Sequence, residues 1–267
     1  MCRATANSGN TSPSEPAATK TYRRLTSLSP QIRLNTSASL STNTRKSDTI
    51  GDVLVISPHL DDAVFSAGQL LAGNPGTVVV TVFAGVPAPE TVDAYDQGCG
   101  FANSEQAMRH RRGEDETALG MLGAKAVHLD LFGIQYATHG DEEIAGALDE
   151  VISRFGPGRV AGPIGLVHPD HERVGAVWRR VLNRYPEIEQ YAYEDLPYRL
   201  TFPRRSSRAI SAFVRDHGAV EARLPAGDVG AKACAMLAYL SQLRAATPLK
   251  CLEPERLWRL ANRLEDT

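Results

Sequence analysis

Two short stretches bring together groups able to do chemistry. In "VLVISPHLDDAVFSAG", residues 53 to 68, an apolar run stops at Ser57 and Pro58 and is followed at once by His59, Leu60, Asp61 and Asp62. In "GPIGLVHPDHERVG", His168, Asp170 and His171 fall within four positions, in a loop that follows an apolar segment and opens another helix. Taken alone, "HLDD" has a structural explanation: Asp at a strand-to-helix junction is an ordinary N-cap, and a second Asp in the first turn suits the helix dipole. A single histidine is likewise more often a satisfied polar residue than a ligand. Taken together, the two stretches offer imidazole and carboxylate groups from separate strand ends. That donor set suits zinc or another divalent transition metal with one position open to water.

Groups so far apart in sequence need a frame to unite them. From Asp52 the chain alternates short β-branched runs ("VLVIS", "TVVVTVFAG", "AVHLDLF", "RVAGPIGL", "YAYEDL") with segments of helical spacing. This alternation predicts an α/β fold: a Rossmann-like, mainly parallel sheet with helices on both faces, in a single domain. In such sheets ligands collect beyond the carboxyl ends of the strands, where both motifs are expected to lie. The stretch "AGVPAPETVDAYDQGCGFAN", rich in Pro and Gly, reads as a long loop, either functional or simply mobile. Residues 1–48, rich in Ser, Thr and Asn and nearly without acids, read as a disordered leader, either a transit peptide or a dispensable extension. The domain is expected over 49–267. Its last part, "DVGAKACAMLAYLSQLRAA" and "EPERLWRLANRLE", predicts two amphipathic helices from about residue 228, packed on the sheet or on a partner; a homo-oligomer stays open.

Composition narrows the classes. With 267 residues, 42% of them hydrophobic, the chain can bury a full core. Lysine plus arginine number 29 against 31 acids, so no bulk charge favours nucleic acid or an anionic membrane as partner. No run of apolar residues is long enough to span a bilayer, and Cys2, Cys99, Cys234 and Cys251 form no CxxC pair, so a reduced cytoplasmic setting is expected. Serine-hydrolase chemistry lacks a G-x-S-x-G elbow, and nucleotide redox chemistry lacks G-x-G-x-x-G after the first strand.

"SPHLDDAVFSAG" together with "HPDH" resembles the PIG-L/LmbE family of metal-dependent N-acetyl deacetylases, marked by a P-H-P-D-D-E-like motif after the first strand and a later H-x-D-H motif. "RRGEDETALGMLGA", like that family's R-x-x-E helix, and "YEDLPY" extend the resemblance over most of residues 52 to 200. It implies His59, Asp62 and His171 as ligands of Zn2+ or another divalent metal, and Asp61 as the general base. It implies a protonated His168 beside the oxyanion or the leaving amine, Asp170 orienting a motif histidine, and Arg111, with Glu114, near the substrate. Two positions depart from the pattern: Leu60 stands where proline is usual and Ala63 where glutamate is usual. The missing glutamate removes a carboxylate that could orient a ligand.

The implied activity is hydrolysis of an N-acetyl group from an amino sugar or amino-sugar conjugate, such as a glycosylated natural-product intermediate. The implied partner is therefore a small molecule. Asp96, with Tyr95 and Phe101, and Glu194 and Asp195, with Tyr198, are candidates for binding hydroxyls and stacking on a sugar face. An amidase acting on cysteine-containing thiol conjugates, and a metal- or sugar-binding module without turnover, are the alternatives.

Overall fold

A computed structural model describes residues 51–242 and 251–261, so the predicted leader at 1–48 lies outside the described residues. Among the described residues seven strands form one sheet in the order β3-β2-β1-β4-β5-β7-β6: β1 (Val53–Ser57), β2 (Val78–Thr81), β3 (Lys125–His128), β4 (Arg159–Pro163), β5 (Glu189–Tyr193), β6 (Val220–Ala222) and β7 (Leu257–Arg259). The first five are mutually parallel, while β7 runs antiparallel to both β5 and β6. The expected Rossmann-like α/β sheet is therefore present, with an antiparallel edge.

Every residue of β1 and β2 is buried, as their apolar runs require. Alternate residues face opposite layers. Leu54, Ile56, Val78 and Val80 pack with residues of α4 (Asp141–Phe155), α5 (Pro169–Leu182) and α7 (Pro203–Asp216). Val53, Val55 and Val79 pack on the other face with α1 (Asp62–Gly73), α3 (Ser104–Met121) and α8 (Val229–Met236). Two shorter helices are α2 (Ala94–Gly98), inside the long loop after β2, and α6 (Leu196–Thr201), directly after β5.

The sheet order places β1 between β2 and β4, so the connections leaving β1 and β4 diverge and open a crevice between their carboxyl ends. The two motifs occupy that crevice from either side. The C-terminal helix expected over 253–265 is not formed at its centre. Leu257–Arg259 is instead the strand β7, with Leu257 and Trp258 buried and Arg259 exposed. Pairing to β5 and β6 satisfies backbone groups that an edge strand would leave open, and that long-range gain outweighs the helical spacing of "RLWRLANRL". The helix expected from 228 to 246 spans only Val229–Met236 among the described residues.

Candidate active site

The turn from β1 into α1 is locked by Ser57, whose hydroxyl donates to the His59 carbonyl (2.7 Å) and accepts from the Ala63 N–H (3.1 Å). Ala63 itself packs in the apolar layer around α1, and Leu60 packs against Ala84 and Met108. Asp61 occupies the N-cap position of α1, yet its side chain caps nothing, and its backbone sits at φ 118°. The preceding residue of the second motif, Val167, has φ 68°. These are the two non-glycine residues with positive φ among the described residues, and each stands in one of the two motif loops. Such conformations cost on the order of 1–3 kcal/mol and persist only where the surroundings enforce them.

His168 is the N-cap of α5, and Pro169 begins the helix, so Asp170 and His171 lie in its first turn rather than in a loop. Three donor atoms converge between the motifs. His59 Nδ1 lies 3.2 Å from Asp62 Oδ2 and 3.2 Å from His171 Nε2, and His171 Nε2 lies 3.0 Å from Asp62 Oδ2. A tetrahedral ion held at ~2.0–2.1 Å needs donors roughly 3.3–3.4 Å apart, so this triangle has nearly the required edge without rearrangement.

The far nitrogens of both imidazoles are taken. His59 Nε2 meets Asp170 Oδ2 at 3.1 Å, and His171 Nδ1 meets Asp195 Oδ1 at 2.6 Å. A carboxylate can only accept, so neutral forms of both rings turn a lone pair toward the triangle. Asp170 is in turn held by the Ile134 N–H (3.2 Å). Gly133 leaves the room it needs, because a Cβ there would stand 2.3 Å from Asp170 Oδ2.

Charge follows from this crowding. Burial pushes the Asp61 carboxyl well above the usual carboxylate range, and the neighbouring charge of Asp62 adds to it. Burial acts on Asp62 in the same direction, but the charge of His171 and hydrogen bonds from His171 and His59 hold it far below that range. Burial would lower His171, yet the Asp62 charge and the Asp195 hydrogen bond carry its pKa up to about 10. His59 is raised too: its hydrogen bonds to Asp170 and Asp62 outweigh burial.

His168 moves the other way, lowered by burial and by the charges of His59 and His171. Its Nδ1 accepts from the Asp170 N–H at 3.2 Å. With Nδ1 accepting, Nε2 is the nitrogen left to donate, and the lowered pKa disfavours the doubly protonated ring that the sequence led us to expect.

These groups line a cavity of about 510 Å³, which has the size of a small-molecule site. Its lining includes His59, Asp61, Asp62, His168 and Asp170. Arg111 lines another wall and is 4% exposed; its Nη2 is 2.8 Å from Asp96, while its Nε has no hydrogen-bond partner among the described residues. Tyr95, Ile134 and Phe202, all well exposed, stand at the same cavity.

Of the four charged residues expected to bind substrate, Arg111 alone lines the cavity, where the expected aromatic contacts Tyr95 and Tyr198 join it. Asp96 is fully buried and holds Arg111 and the Tyr136 hydroxyl (2.9 Å). Glu194 is buried in a cluster with Arg199, Arg256 and the Trp258 indole N–H. Asp195 is buried behind His171. Each of these carboxylates is consumed by a buried partner, which corrects the expectation drawn from their loops. Conversely, Gly133, Ile134 and Tyr136 were not singled out in the sequence; their position just past the end of β3 is the signal that marks them.

Comparison with known proteins follows the same lines. Residues 54–182 match the family model described as "PIG-L: GlcNAc-PI de-N-acetylase". A curated relative from Bacillus cereus, a probable N-acetyl-alpha-D-glucosaminyl L-malate deacetylase 2, is 30% identical over 149 residues; the alignment covers 52% of this chain and 64% of the relative. Among solved structures, a triple mutant of a deacetylase of the teicoplanin biosynthetic pathway superposes with a TM-score of 0.64 at 25% identity, covering 80% of this chain and 99% of that one. The A40926 pseudoaglycone deacetylase gives 0.62 at 27% identity, covering 79% and 97%. Among the described residues no helix is long and apolar enough to cross a membrane.

Proposed function

We propose that this chain, whose residues 54–182 match the PIG-L family model, is a zinc-dependent amidohydrolase that removes an N-acetyl group from an amino sugar carried on a larger conjugate. The observation that carries this reading is the His59, Asp62 and His171 triangle, with edges of 3.0 to 3.2 Å, of which His59 and Asp62 line one cavity together with Asp61. The donor set, two imidazoles and one carboxylate, fits Zn2+ or a related divalent ion. When bound, the ion supplies Lewis acidity toward water and toward an amide carbonyl.

The chain's own residues divide the remaining work. The Asp61 side chain is not spent on capping α1, and its raised pKa suits a carboxylate that takes a proton from water and passes it to the departing amine. His168, through its Nε2–H, donates to the oxygen that becomes negative as the amide carbon turns tetrahedral. Asp170 keeps the His59 ring in one orientation. Arg111, whose Nε has no partner among the described residues, binds an acceptor on the sugar side of the substrate. The exposed apolar rim of Tyr95, Ile134 and Phe202 supports a conjugate with an apolar portion outside the cavity.

Acetate release from a panel of N-acetylated amino sugars and their aglycone conjugates, with and without a chelator, tests the reading. Chelation should abolish turnover and added Zn2+ should restore it. Asp61→Asn should lower kcat by about 10²–10⁴ while leaving metal uptake intact. Chelator-resistant hydrolysis, or full turnover by Asp61→Asn, would overturn it.

A further inference from the structure

We propose that Asp195, at the end of β5, is a positioning residue for the metal centre, a role that rests on the metal-dependent reading above. Its carboxylate is 1% exposed and makes three contacts. Oδ1 takes His171 Nδ1 at 2.6 Å, and Oδ2 accepts the amide N–H groups of Gly165 and Leu166, each at 3.0 Å. Asp195 stands at the N-cap position of α6, but its side chain is turned away from that helix and spent on the neighbouring strand end. One side chain thus fixes the two things on which His171 depends: the tautomer of its ring and the loop that leads into its helix.

The loop needs that anchor because it runs close to the helix it precedes. Gly165, at φ 92°, passes so near that a Cβ would stand 2.7 Å from the His171 carbonyl. A carboxylate accepting this hydrogen bond makes His171 Nδ1 the donor, so Nε2 is the nitrogen left to take a cation in exchange for its proton. Tyr198, on α6, packs edge-on against the same imidazole with centroids 4.9 Å apart. A third strand end, in addition to those carrying the two motifs, therefore builds the centre.

The nearly isosteric Asp195→Asn separates this role from bulk packing. Its amide must turn NH2 either to His171, forcing the proton onto Nε2 and removing the metal-facing lone pair, or to two backbone N–H groups that then lose their acceptor. Zn2+ titrated into the full metal-free chain against a chromophoric chelator should bind about 10- to 100-fold more weakly in the variant. In the zinc-loaded wild type, long-range 15N–1H NMR should find the His171 proton on Nδ1, a readout that needs no variant to fold. Wild-type affinity in Asp195→Asn to within twofold, or a bare Nδ1 in the loaded wild type, overturns the positioning role. A wild-type chain that takes up no Zn2+ overturns the metal reading itself, and the positioning role with it.

Discussion

Metal binding to this site should be a contest with a proton, and pH is the perturbation that exposes it. His171 Nε2 lies 3.0 Å from Asp62 and Nδ1 lies 2.6 Å from Asp195, and between these carboxylates its pKa reaches about 10. At neutral pH the metal-free ring is therefore an imidazolium, and an ion can take Nε2 only by expelling one proton. Affinity should then rise about tenfold per pH unit between pH 7 and 9, equivalent to about 1.36 kcal/mol per unit. His59, also raised, steepens the dependence toward lower pH. Calorimetric titration of Zn2+ in buffers of different ionisation enthalpy, repeated across that range, measures both the slope and the proton count.

The same shift has a stability consequence of opposite sense. A pKa raised above the unfolded value of 6.5 contributes stability that is fully present below about 6.5 and is lost as pH climbs to about 10. The metal-free chain should lose Tm across that window and the loaded chain should not. An affinity that changes less than threefold from pH 7 to 9, with a heat independent of buffer, would refute the reasoning.

Three further perturbations follow from the geometry. Gly133→Ala inserts a Cβ 2.3 Å from Asp170 Oδ2, so the carboxylate must leave His59; turnover should fall about 10- to 100-fold with the fold intact by circular dichroism, and near-normal turnover would show that Asp170 does not orient the ring. Glu255→Ala leaves the fully buried Lys232 without its partner at 2.7 Å and strips the acceptor from the Gln69 and Leu70 N–H groups. Urea unfolding should show a loss of about 3–5 kcal/mol, and a loss under 1 would mean the pair is dispensable. Tyr136→Phe removes hydroxyl contacts to Asp96 (2.9 Å) and Arg111 (3.3 Å); steady-state kinetics should show KM raised about tenfold with kcat little changed, and an unchanged KM would take Arg111 out of substrate binding.

The part of the molecule legible in its sequence was the part written locally. The apolar runs of β1 and β2 announce strands buried on both faces, and the His and Asp spacing of the two motifs announces donors at strand ends. What stayed illegible depends on neighbours far along the chain. Asp96, Glu194 and Asp195 look like loop acids free to meet a ligand; only the folded chain reveals that Arg111, Trp258 and His171 are waiting for them. Leu257–Arg259 became a strand because β5 and β6 left it an edge to pair with, which no window of local periodicity contains. The protonation of His168 was likewise unreadable, being set by burial and by two imidazoles brought beside it.

The positive φ of Asp61 and Val167 bears on anyone who would engineer this chain for robustness. Glycine at either position would relax the backbone, so a screen that rewards heat resistance alone will be drawn first to these two loops. At Asp61 it would exchange the carboxylate beside the donor triangle for a cooler-headed turn; at Val167 it would loosen the lead-in to His168. Melting temperature and turnover should part company there, and a library built for durability ought to hold residues 59–62 and 165–171 constant.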